Sequence, residues 1–530
     1  MRGSQVSVGN RATHFGWIFL ASAAVAALLL VLARGVIDHV VIYDELLHIL
    51  AARGIVETGL PAIAGGMYER GELYTRLVAF ALVQFGDTPI TARLPSLAGG
   101  VLLVLLLSFW VGRKAGLLAG VSAGLFLCVV PATLDVAVFA RFYTLHALVM
   151  FMMFAAAFEA SLPYKHLSAR FGWSILAMTL LPLGWHLQET TLIAAVAVVA
   201  GMLVVLAMAH WAVVREFVRS YPIAVFGSCF SLLFVGLVVL AELGLWDRFS
   251  AAPLWASGRA DRYHYYLVAF SKDMPLLWPL LPAAVVIGIS DPRTRRIASF
   301  CATVLVVSLV FHSFAGAKAV RYVYYVVPMA CAIWGVAVAN IVARALERGD
   351  WVAPKGSGPL RWTLPGMMLL GLIMSQEGIR SMRLVAGRLQ PTVALSYGAE
   401  ADWGPAMAPL DPALRSADMV ITSNAMKALF FLGRYDYELN ASIVPETDTG
   451  LEFGVDARTG ERAIATAKSM ERVLDLPGSA LVVLEEEKIG KANGVPADAV
   501  VVIQSRCRSV DLSGTTGIRA WLCPRRDAEP

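Results

Sequence analysis

Long apolar runs, separated by short charged stretches, make up most of the first 380 residues. A helix needs roughly 17–25 residues of this kind to cross the hydrocarbon of a bilayer. Eight strong runs begin near Trp17, Leu94, Ala115, Phe142, Thr190, Pro222, Ile297 and Tyr322. Three weaker runs begin near Gly172, Met274 and Trp362. The pattern predicts an all-α polytopic membrane bundle of about eleven transmembrane helices over residues 1–383.

Lys and Arg recur in every second connection between these runs, which predicts the orientation. We expect the N-terminus in the cytoplasm of a bacterial inner membrane. No small-residue cleavage site follows the first run, so we expect that run to remain as a span. The long loops 38–93 and 243–273 then lie on the extracytoplasmic face. The basic residues of the cytoplasmic side are Arg2, Arg11, Arg113, Lys114, Lys165, Arg170, Arg215, Arg219, Arg293, Arg295, Arg296, Arg344, Arg348, Lys355 and Arg361.

The chain becomes polar after about Arg383, and residues 390–530 have the pattern of a small α/β domain. Apolar runs at 418–422, 480–484 and 499–504 predict strands, and 425–432 predicts a helix. With an odd number of spans, this tail domain lies outside the cell.

Composition supports the membrane assignment. Hydrophobic residues make up 58% of the chain and charged residues 16%, with a mean hydropathy of +0.66. These values exclude a soluble enzyme, a disordered protein and a fibrous protein. No basic patch alternates with aromatic residues, so we expect membrane lipids and no nucleic acid among the partners.

Six cysteines are too few for a disulfide scaffold. The two in the tail, Cys507 and Cys523, are expected to pair in an oxidising compartment. The other four fall within predicted spans, where cysteine behaves as a small apolar residue: Cys128, Cys229, Cys301 and Cys331.

Two adjacent carboxylates, Asp44 and Glu45, follow the first span. A carboxylate at this interface can accept a proton from a substrate hydroxyl. Alternatively, Asp44 is the N-cap of a helix that runs to about Thr58. Asp44 and His48 share one face of such a helix, so a divalent metal is possible but no cofactor is certain.

Farther along this loop, polar and aromatic residues alternate over positions 65–76. Long ordered loops often carry function, so Tyr68, Arg70 and Tyr74 are candidate substrate contacts. An interfacial belt of aromatic anchors is the alternative. His264, in the second long outer loop, is a candidate of the same kind because aromatic rings, Asp and Arg surround it.

Cations lie at two further positions on the predicted outer side, where Lys and Arg are less common than in cytoplasmic loops. Arg141 lies between apolar residues and precedes Tyr143, and Lys318 and Arg321 precede Tyr322. Such cations can bind a phosphate at the membrane surface. Anchoring of helix ends to lipid headgroups is the alternative.

As a set, these motifs resemble the glycosyltransferase C superfamily, in the branch of the protein O-mannosyltransferases and the lipid A aminoarabinose transferase. The resemblance covers roughly residues 15–380 and rests on Tyr43-Asp44-Glu45, Arg93-Leu94-Pro95, Ala140-Arg141-Phe142-Tyr143 and Lys318-x-x-Arg321-Tyr322 with Pro328. Residues 420–424 and 435–437 are similar to tail domains of some bacterial members.

The resemblance implies an inverting enzyme that moves a hexosyl or pentosyl group from a polyprenyl-phosphate donor to a hydroxyl on the extracytoplasmic face. The acceptor can be a glycan, a lipid or a protein. The resemblance gives Asp44 the role of general base, with Glu45 beside it. It places Arg141 near the site, and Lys318 and Arg321 near the donor phosphate.

Elementary chemistry agrees with these roles. The phosphate leaving group needs cations, and inversion needs the base on the opposite side of the sugar. The alternative function is a transporter or flippase of lipid-linked sugars. That class predicts broken helices, charges near the bilayer midplane and matching halves, whereas the charges here lie at outer ends and no internal repeat is visible. The acidic pair argues against a binding protein without catalysis.

Overall fold

The computed structural model describes residues 8–163, 166–221, 242, 250–251, 261–347, 360–388, 401–441, 453–456, 458–491, 494–512 and 517–526. The chain divides into two compact units. The membrane unit comprises Met1–Ile37 and Pro95–Ser396, and the second unit comprises Asp38–Leu94 and Tyr397–Pro530. The loop 38–94 therefore groups with the tail domain, whereas the sequence placed residues 38–93 with the membrane helices.

Within the described ranges, seven helices are long and apolar enough to span a membrane. The adjoining helices Leu117–Val129 and Pro131–Ala137 bend by 69° and can form an eighth span. The protein is thus a multi-pass helical bundle, and the described residues do not confirm the predicted number of about eleven spans. The seven are Phe15–Arg34, Pro89–Ala115, Tyr143–Ser161, Leu167–Leu187, Thr191–Ala209, Arg295–Ser313 and Val320–Ala345.

The difference in number has two sources. The runs near Met274 and Trp362 give only the short helices Leu281–Ser290 and Leu360–Ile373. The predicted span near Pro222, Cys229 and much of the loop 243–273 lie outside the described residues. The other described helices of this unit are Val8–Arg34, which contains the first span, Trp211–Ser220, Tyr265–Asp273, Val320–Val323, Tyr324–Val326 (a 3₁₀ turn), Val327–Glu347 and Gln376–Val385.

Small residues allow the helices of the membrane unit to pack closely. A methyl group on Gly120 would overlap the carbonyl oxygen of Ser108, and one on Gly335 would overlap that of Ala119. Helices without bulky side chains at the contact approach backbone to backbone, which is how membrane helices gain packing energy without a hydrophobic driving force.

The loop 38–94 of the second unit contains two helices and a short hairpin. The loop helix, Tyr43–Thr58, ends at Gly59, whose φ of +82° favours glycine. Strands β1 (Ala62–Ile63) and β2 (Gly66–Met67) pair antiparallel. The helix Glu72–Phe85 follows them.

The tail domain is built on a seven-stranded mixed sheet in the order β5-β6-β4-β3-β7-β9-β8. Strand β3 lies parallel to β4 and β7, and β9 pairs antiparallel with β7 and β8. The strands are β3 (Met419–Thr422), β4 (Tyr437–Leu439), β5 (Gly454–Val455), β6 (Arg462–Ile464), β7 (Gly478–Glu485), β8 (Arg508–Ser509) and β9 (Ile518–Arg526). The helical segments are Gly404–Ala406, Met407–Ser416, Ala425–Lys427, Ala428–Leu432, Ala467–Leu474, Glu486–Lys488 and Ala497–Arg506.

The α/β prediction for the tail is confirmed, including the strands at 418–422 and 480–484 and the helical segment at 425–432. The prediction of a strand at 499–504 is wrong, because these residues belong to the helix Ala497–Arg506. Ala499, Val500 and Ile503 form its buried face and Val501 is exposed, which is helical periodicity in a short apolar run. The end of this helix is joined to β9 by the Cys507–Cys523 disulfide, the pairing that the sequence predicts.

Candidate functional site

Asp44 occupies the first turn of the loop helix. The N-cap is Ile42, in an extended conformation, so the alternative of Asp44 as N-cap is wrong. The Glu45 side chain takes the capping role instead and accepts a hydrogen bond of 3.0 Å from the Ile42 backbone N–H. Asp44 is only half-buried, and the positive end of the helix dipole stabilises its negative charge.

Glu45 is completely buried and is held by Arg93, with His39 beside it. Arg93 donates from Nε at 2.8 Å and from Nη2 at 2.7 Å to its two carboxylate oxygens, and His39 Nε2 lies 3.5 Å away. Burial alone would raise the pKa of Glu45, but Arg93 and His39 outweigh burial and hold that pKa well below its usual range. This corrects the expectation that Glu45 shares the catalytic role: it fixes the start of the loop helix.

Two of the residues predicted as substrate contacts lie in the core of the loop. His48 and Tyr74 are fully buried, and His48 Nδ1 lies 2.8 Å from the Thr75 hydroxyl. The His48 ring also packs edge-on against Tyr68 and Tyr74, with centroids 5.1 and 5.0 Å away. Buried side chains of this kind hold the two loop helices together.

The other two predicted contacts of this loop remain accessible. Tyr68 is half-buried and Arg70 is exposed. Within the part of the chain that the structure describes, no group of three or more His, Cys, Asp or Glu side chains is placed to hold a metal ion.

In the membrane unit, two buried arginines lie in one aromatic cluster. The Arg141 guanidinium lies 5.6 Å from the Tyr143 ring, and the Arg321 guanidinium lies 5.1 Å from the Tyr322 ring. The two tyrosine rings are 6.2 Å apart. The structure therefore brings together residues that the sequence identified in two motifs about 180 positions apart. We call Arg141, Tyr143, Arg321 and Tyr322 the arginine–tyrosine cluster.

Two hydrogen bonds from side-chain hydroxyls to backbone carbonyls fix the turn that carries Arg141. The Ser96 hydroxyl donates to the Arg141 carbonyl oxygen at 2.8 Å, and the Thr144 hydroxyl donates to the Ser96 carbonyl oxygen at 2.8 Å. Ser96 follows the Arg93-Leu94-Pro95 motif, whose structural role the sequence did not reveal. Arg93 binds Glu45 and Ser96 holds the Arg141 turn.

Lys318 lies at the bend that precedes Arg321. Its ammonium donates to the Ala315 carbonyl oxygen at 2.6 Å and lies 5.8 Å from the Tyr263 ring. Burial lowers the pKa of Lys318, and the Asp261 carboxylate opposes that shift. The third predicted cation is therefore in place on the same chain segment as Arg321.

A cavity of about 240 Å³ adjoins this segment. It reaches Val320, the residue before Arg321, and its other walls are Arg262, His264, Tyr265, Val268, Ala269, Lys272 and Asp273. His264 is thus exposed in the wall of a cavity that carries three basic groups and one carboxylate. This location is suited to the polar contact that the sequence predicts.

No protein-family model matches the chain, and no curated protein matches it. Several solved structures match the chain. The crystal structure of ArnT from Cupriavidus metallidurans bound to undecaprenyl phosphate matches with a TM-score of 0.60 and 17% identity, over 96% of this chain and 98% of that chain. ArnT in the apo state matches over the same shares, with a TM-score of 0.56 and 17% identity.

A second similarity is to the archaeal oligosaccharyltransferase AglB from Archaeoglobus fulgidus, in complex with an inhibitory peptide and a dolichol-phosphate. The TM-score is 0.55 and the identity is 12%, over 90% of this chain and 70% of that chain. The similarity extends through both units, so the arrangement of helices followed by a tail domain belongs to a known fold.

Proposed function

We propose that this chain, which has the glycosyltransferase C fold, transfers a sugar from a polyprenyl-phosphate donor to an acceptor hydroxyl, with inversion at the anomeric carbon. The similar structures were solved with undecaprenyl phosphate and with a dolichol-phosphate. Both ligands are polyprenyl phosphates, which supports this class of donor. The observation that carries the proposal is the arginine–tyrosine cluster.

The cluster provides what a phosphate leaving group needs. Arginine presents a planar set of N–H donors that match phosphate oxygens, and its charge does not titrate in the physiological range. Arg141 and Arg321 are 2% and 5% exposed, so water screens their charge little. We assign Arg141, Arg321 and Lys318 to the donor phosphate and Tyr322 to its immediate surroundings.

Asp44 is the proposed general base. Its carboxylate accepts the proton of the acceptor hydroxyl while that oxygen forms a bond to the anomeric carbon. The bond from this carbon to the phosphate oxygen breaks, and its electron pair remains on the polyprenyl phosphate. Asp44 suits the role better than Glu45, because Asp44 is half-buried whereas both oxygens of Glu45 are bound by Arg93.

The remaining assignments follow the charge pattern of the sequence. We place the N-terminus in the cytoplasm and the reaction on the extracytoplasmic face of a bacterial inner membrane. Tyr68, Arg70, Tyr143 and His264 are proposed contacts to the sugar or the acceptor. The donor sugar is a hexose or a pentose, and the acceptor is a glycan, a lipid or a protein of the cell envelope.

One observation favours a second function, a transporter or flippase of lipid-linked sugars. The Leu117–Val129 and Pro131–Ala137 helices form a broken apolar segment with a bend of 69°, and transporters use such breaks at substrate sites. The two functions differ in their products. A transferase releases free polyprenyl phosphate, whereas a transporter moves the donor across the membrane intact.

The experiment is a donor panel with purified protein in detergent. Polyprenyl phosphates that carry different hexoses and pentoses are incubated with glycan, lipid and peptide acceptors, and products are read by mass spectrometry. We expect one donor to give glycosylated acceptor and free polyprenyl phosphate in equal amounts. If every donor in the panel stays intact and the protein moves donors across proteoliposome membranes, the function is that of a transporter.

A further inference from the structure

A turn of the tail domain contacts the start of the loop helix within the second unit. Arg458 lies in this turn, and its Nη1 donates a hydrogen bond to the phenolic oxygen of Tyr43. The guanidinium carbon also lies 5.7 Å from the Tyr43 ring. Tyr43 is the residue immediately before Asp44, so a side chain of the tail reaches the neighbour of the proposed base.

Two buried carboxylates fix the orientation of Arg458. Its Nε donates to Asp456 Oδ1 at 2.8 Å and its Nη2 to Asp456 Oδ2 at 2.7 Å, which is a bidentate contact. Nη2 also donates to Glu438 Oε2 at 3.0 Å. The side chains of Asp456 and Glu438 are each 2% exposed. The guanidinium edge that carries Nε and Nη2 is therefore held by the tail domain, and Nη1 points to Tyr43.

The loop hairpin packs against the same turn through glycines. A methyl group on Gly66 would overlap the carbonyl oxygen of Arg458, and one on Gly460 would lie 2.9 Å from the Gly65 carbonyl carbon. Gly460 has a φ of +73°, which favours glycine. The Gly65-Gly66 pair thus allows the hairpin to approach the turn backbone to backbone, and it keeps the turn close to Tyr43.

We infer that Arg458 is a positioning residue for the proposed transfer reaction: by holding Tyr43, it fixes the first turn of the loop helix and thereby the Asp44 carboxylate. This inference rests on the proposed function. Glu45 holds the Ile42 backbone N–H at the start of this turn, and Arg458 adds a contact to the side chain of Tyr43, the residue next to Asp44. A displacement of about 1 Å at a catalytic group can cost roughly a hundredfold in rate.

The test uses two variants that weaken the contact and one matched control. Arg458→Lys keeps the charge but cannot bridge Asp456 and Tyr43 as a fork does, and Tyr43→Phe removes only the phenolic oxygen. Arg462→Lys is the control, because Arg462 makes a similar contact inside the tail: Nη1 donates to the Tyr437 hydroxyl at 2.9 Å and the guanidinium lies 5.8 Å from that ring.

We expect kcat to fall about tenfold to a hundredfold in Arg458→Lys and less in Tyr43→Phe, with the KM for the donor unchanged. Arg462→Lys should keep the wild-type kcat. Thermal unfolding of each variant in detergent identifies loss of folding, and the Tyr43→Phe variant retains the ring packing in any case. Equal kcat values for wild type and Arg458→Lys would overturn the inference.

A double variant separates positioning from a general structural effect. If Arg458 acts through Asp44, Arg458→Lys should lower the residual rate of Asp44→Asn by less than about twofold, because the group it positions is gone. A full additional loss in the Asp44→Asn background would show that Arg458 acts elsewhere. Undiminished transfer by Asp44→Asn alone would refute the proposed base, whereas loss in Asp44→Asn with normal Arg458→Lys would refute the positioning role only.

Discussion

At the scale of the residue, two adjacent carboxylates have opposite surroundings. Asp44 is half-buried, and Glu45 is fully enclosed by Arg93, His39 and the Ile42 backbone. The side chains of consecutive helix residues point about 100° apart, so Glu45 can face buried partners while Asp44 stays accessible. The sequence identifies the pair, but it cannot assign the roles, because Arg93 lies 48 positions away from Glu45.

The buried arginines give a prediction at the same scale. Replacing Arg321 or Arg141 by Ala removes charged hydrogen-bond donors from the proposed phosphate site. Binding of undecaprenyl phosphate should weaken about tenfold or more, since a hydrogen bond to a charged group contributes about 1.5–3 kcal/mol. Native mass spectrometry of the protein in detergent measures this affinity.

Arg344→Ala is the control for this measurement. Arg344 lies near the C-terminal end of the helix Val327–Glu347 and donates to the Ser290 hydroxyl, an exposed contact outside the arginine–tyrosine cluster. Its replacement should leave the lipid affinity unchanged. If Arg321→Ala and Arg141→Ala bind and turn over like wild type, these cations serve only as helix anchors.

At the scale of the element, the Arg93–Glu45 pair lies within the second unit and holds the start of the loop helix. Glu45→Gln would leave a buried guanidinium without its carboxylate, and loss of one partner of a buried pair costs about 3–5 kcal/mol. We expect a lower unfolding temperature for Glu45→Gln, measured by light scattering or fluorescence in detergent. Asp44→Asn, at a half-buried position, should unfold like wild type.

The same pair has a defined pH dependence. Because the pKa of Glu45 is lower in the folded protein than in the unfolded chain, its stabilising effect is complete above the usual carboxyl range. The effect is lost only as the pH falls through that range towards the lowered folded pKa. If wild type and Glu45→Gln were equally stable at neutral pH, the assigned role of Glu45 would be contradicted.

The apolar pattern of the sequence predicted long elements more accurately than short ones. The apolar runs near Phe142 and Thr190 correspond to the helices Tyr143–Ser161 and Thr191–Ala209. The six-residue run at 499–504 was assigned to a strand and is a helix, because a short apolar run fits either period. The contact between Tyr43 and Arg458 joins residues 415 positions apart, and local patterns carry no information about such a pairing.

At the scale of the whole molecule, the fold is retained at low sequence identity. The chain matches ArnT over 96% of its length with 17% identity, while no family model matches. The order of the motifs along the chain was therefore more informative than overall similarity. The grouping of the loop 38–94 with the tail domain was not predicted, because it depends on contacts between distant segments.

Cysteine labelling tests the proposed orientation of the whole chain. Cys507 and Cys523 form a disulfide, and Cys128, Cys301 and Cys331 are buried free thiols. With the tail outside the cell, an impermeant thiol reagent should label Cys507 and Cys523 in spheroplasts only after a reductant is added. Labelling of this pair only after the spheroplasts are lysed would place the tail in the cytoplasm and overturn the proposed face of the reaction.

The most direct measurement of the central claim compares wild type with Asp44→Asn in the transfer assay, using the donor that the panel selects. We predict that wild type forms glycosylated acceptor and releases polyprenyl phosphate. Asp44→Asn should bind the donor with wild-type affinity and turn over about a hundredfold or more slowly, as expected when a general base is removed. Turnover by folded Asp44→Asn at a rate close to that of wild type would contradict the account.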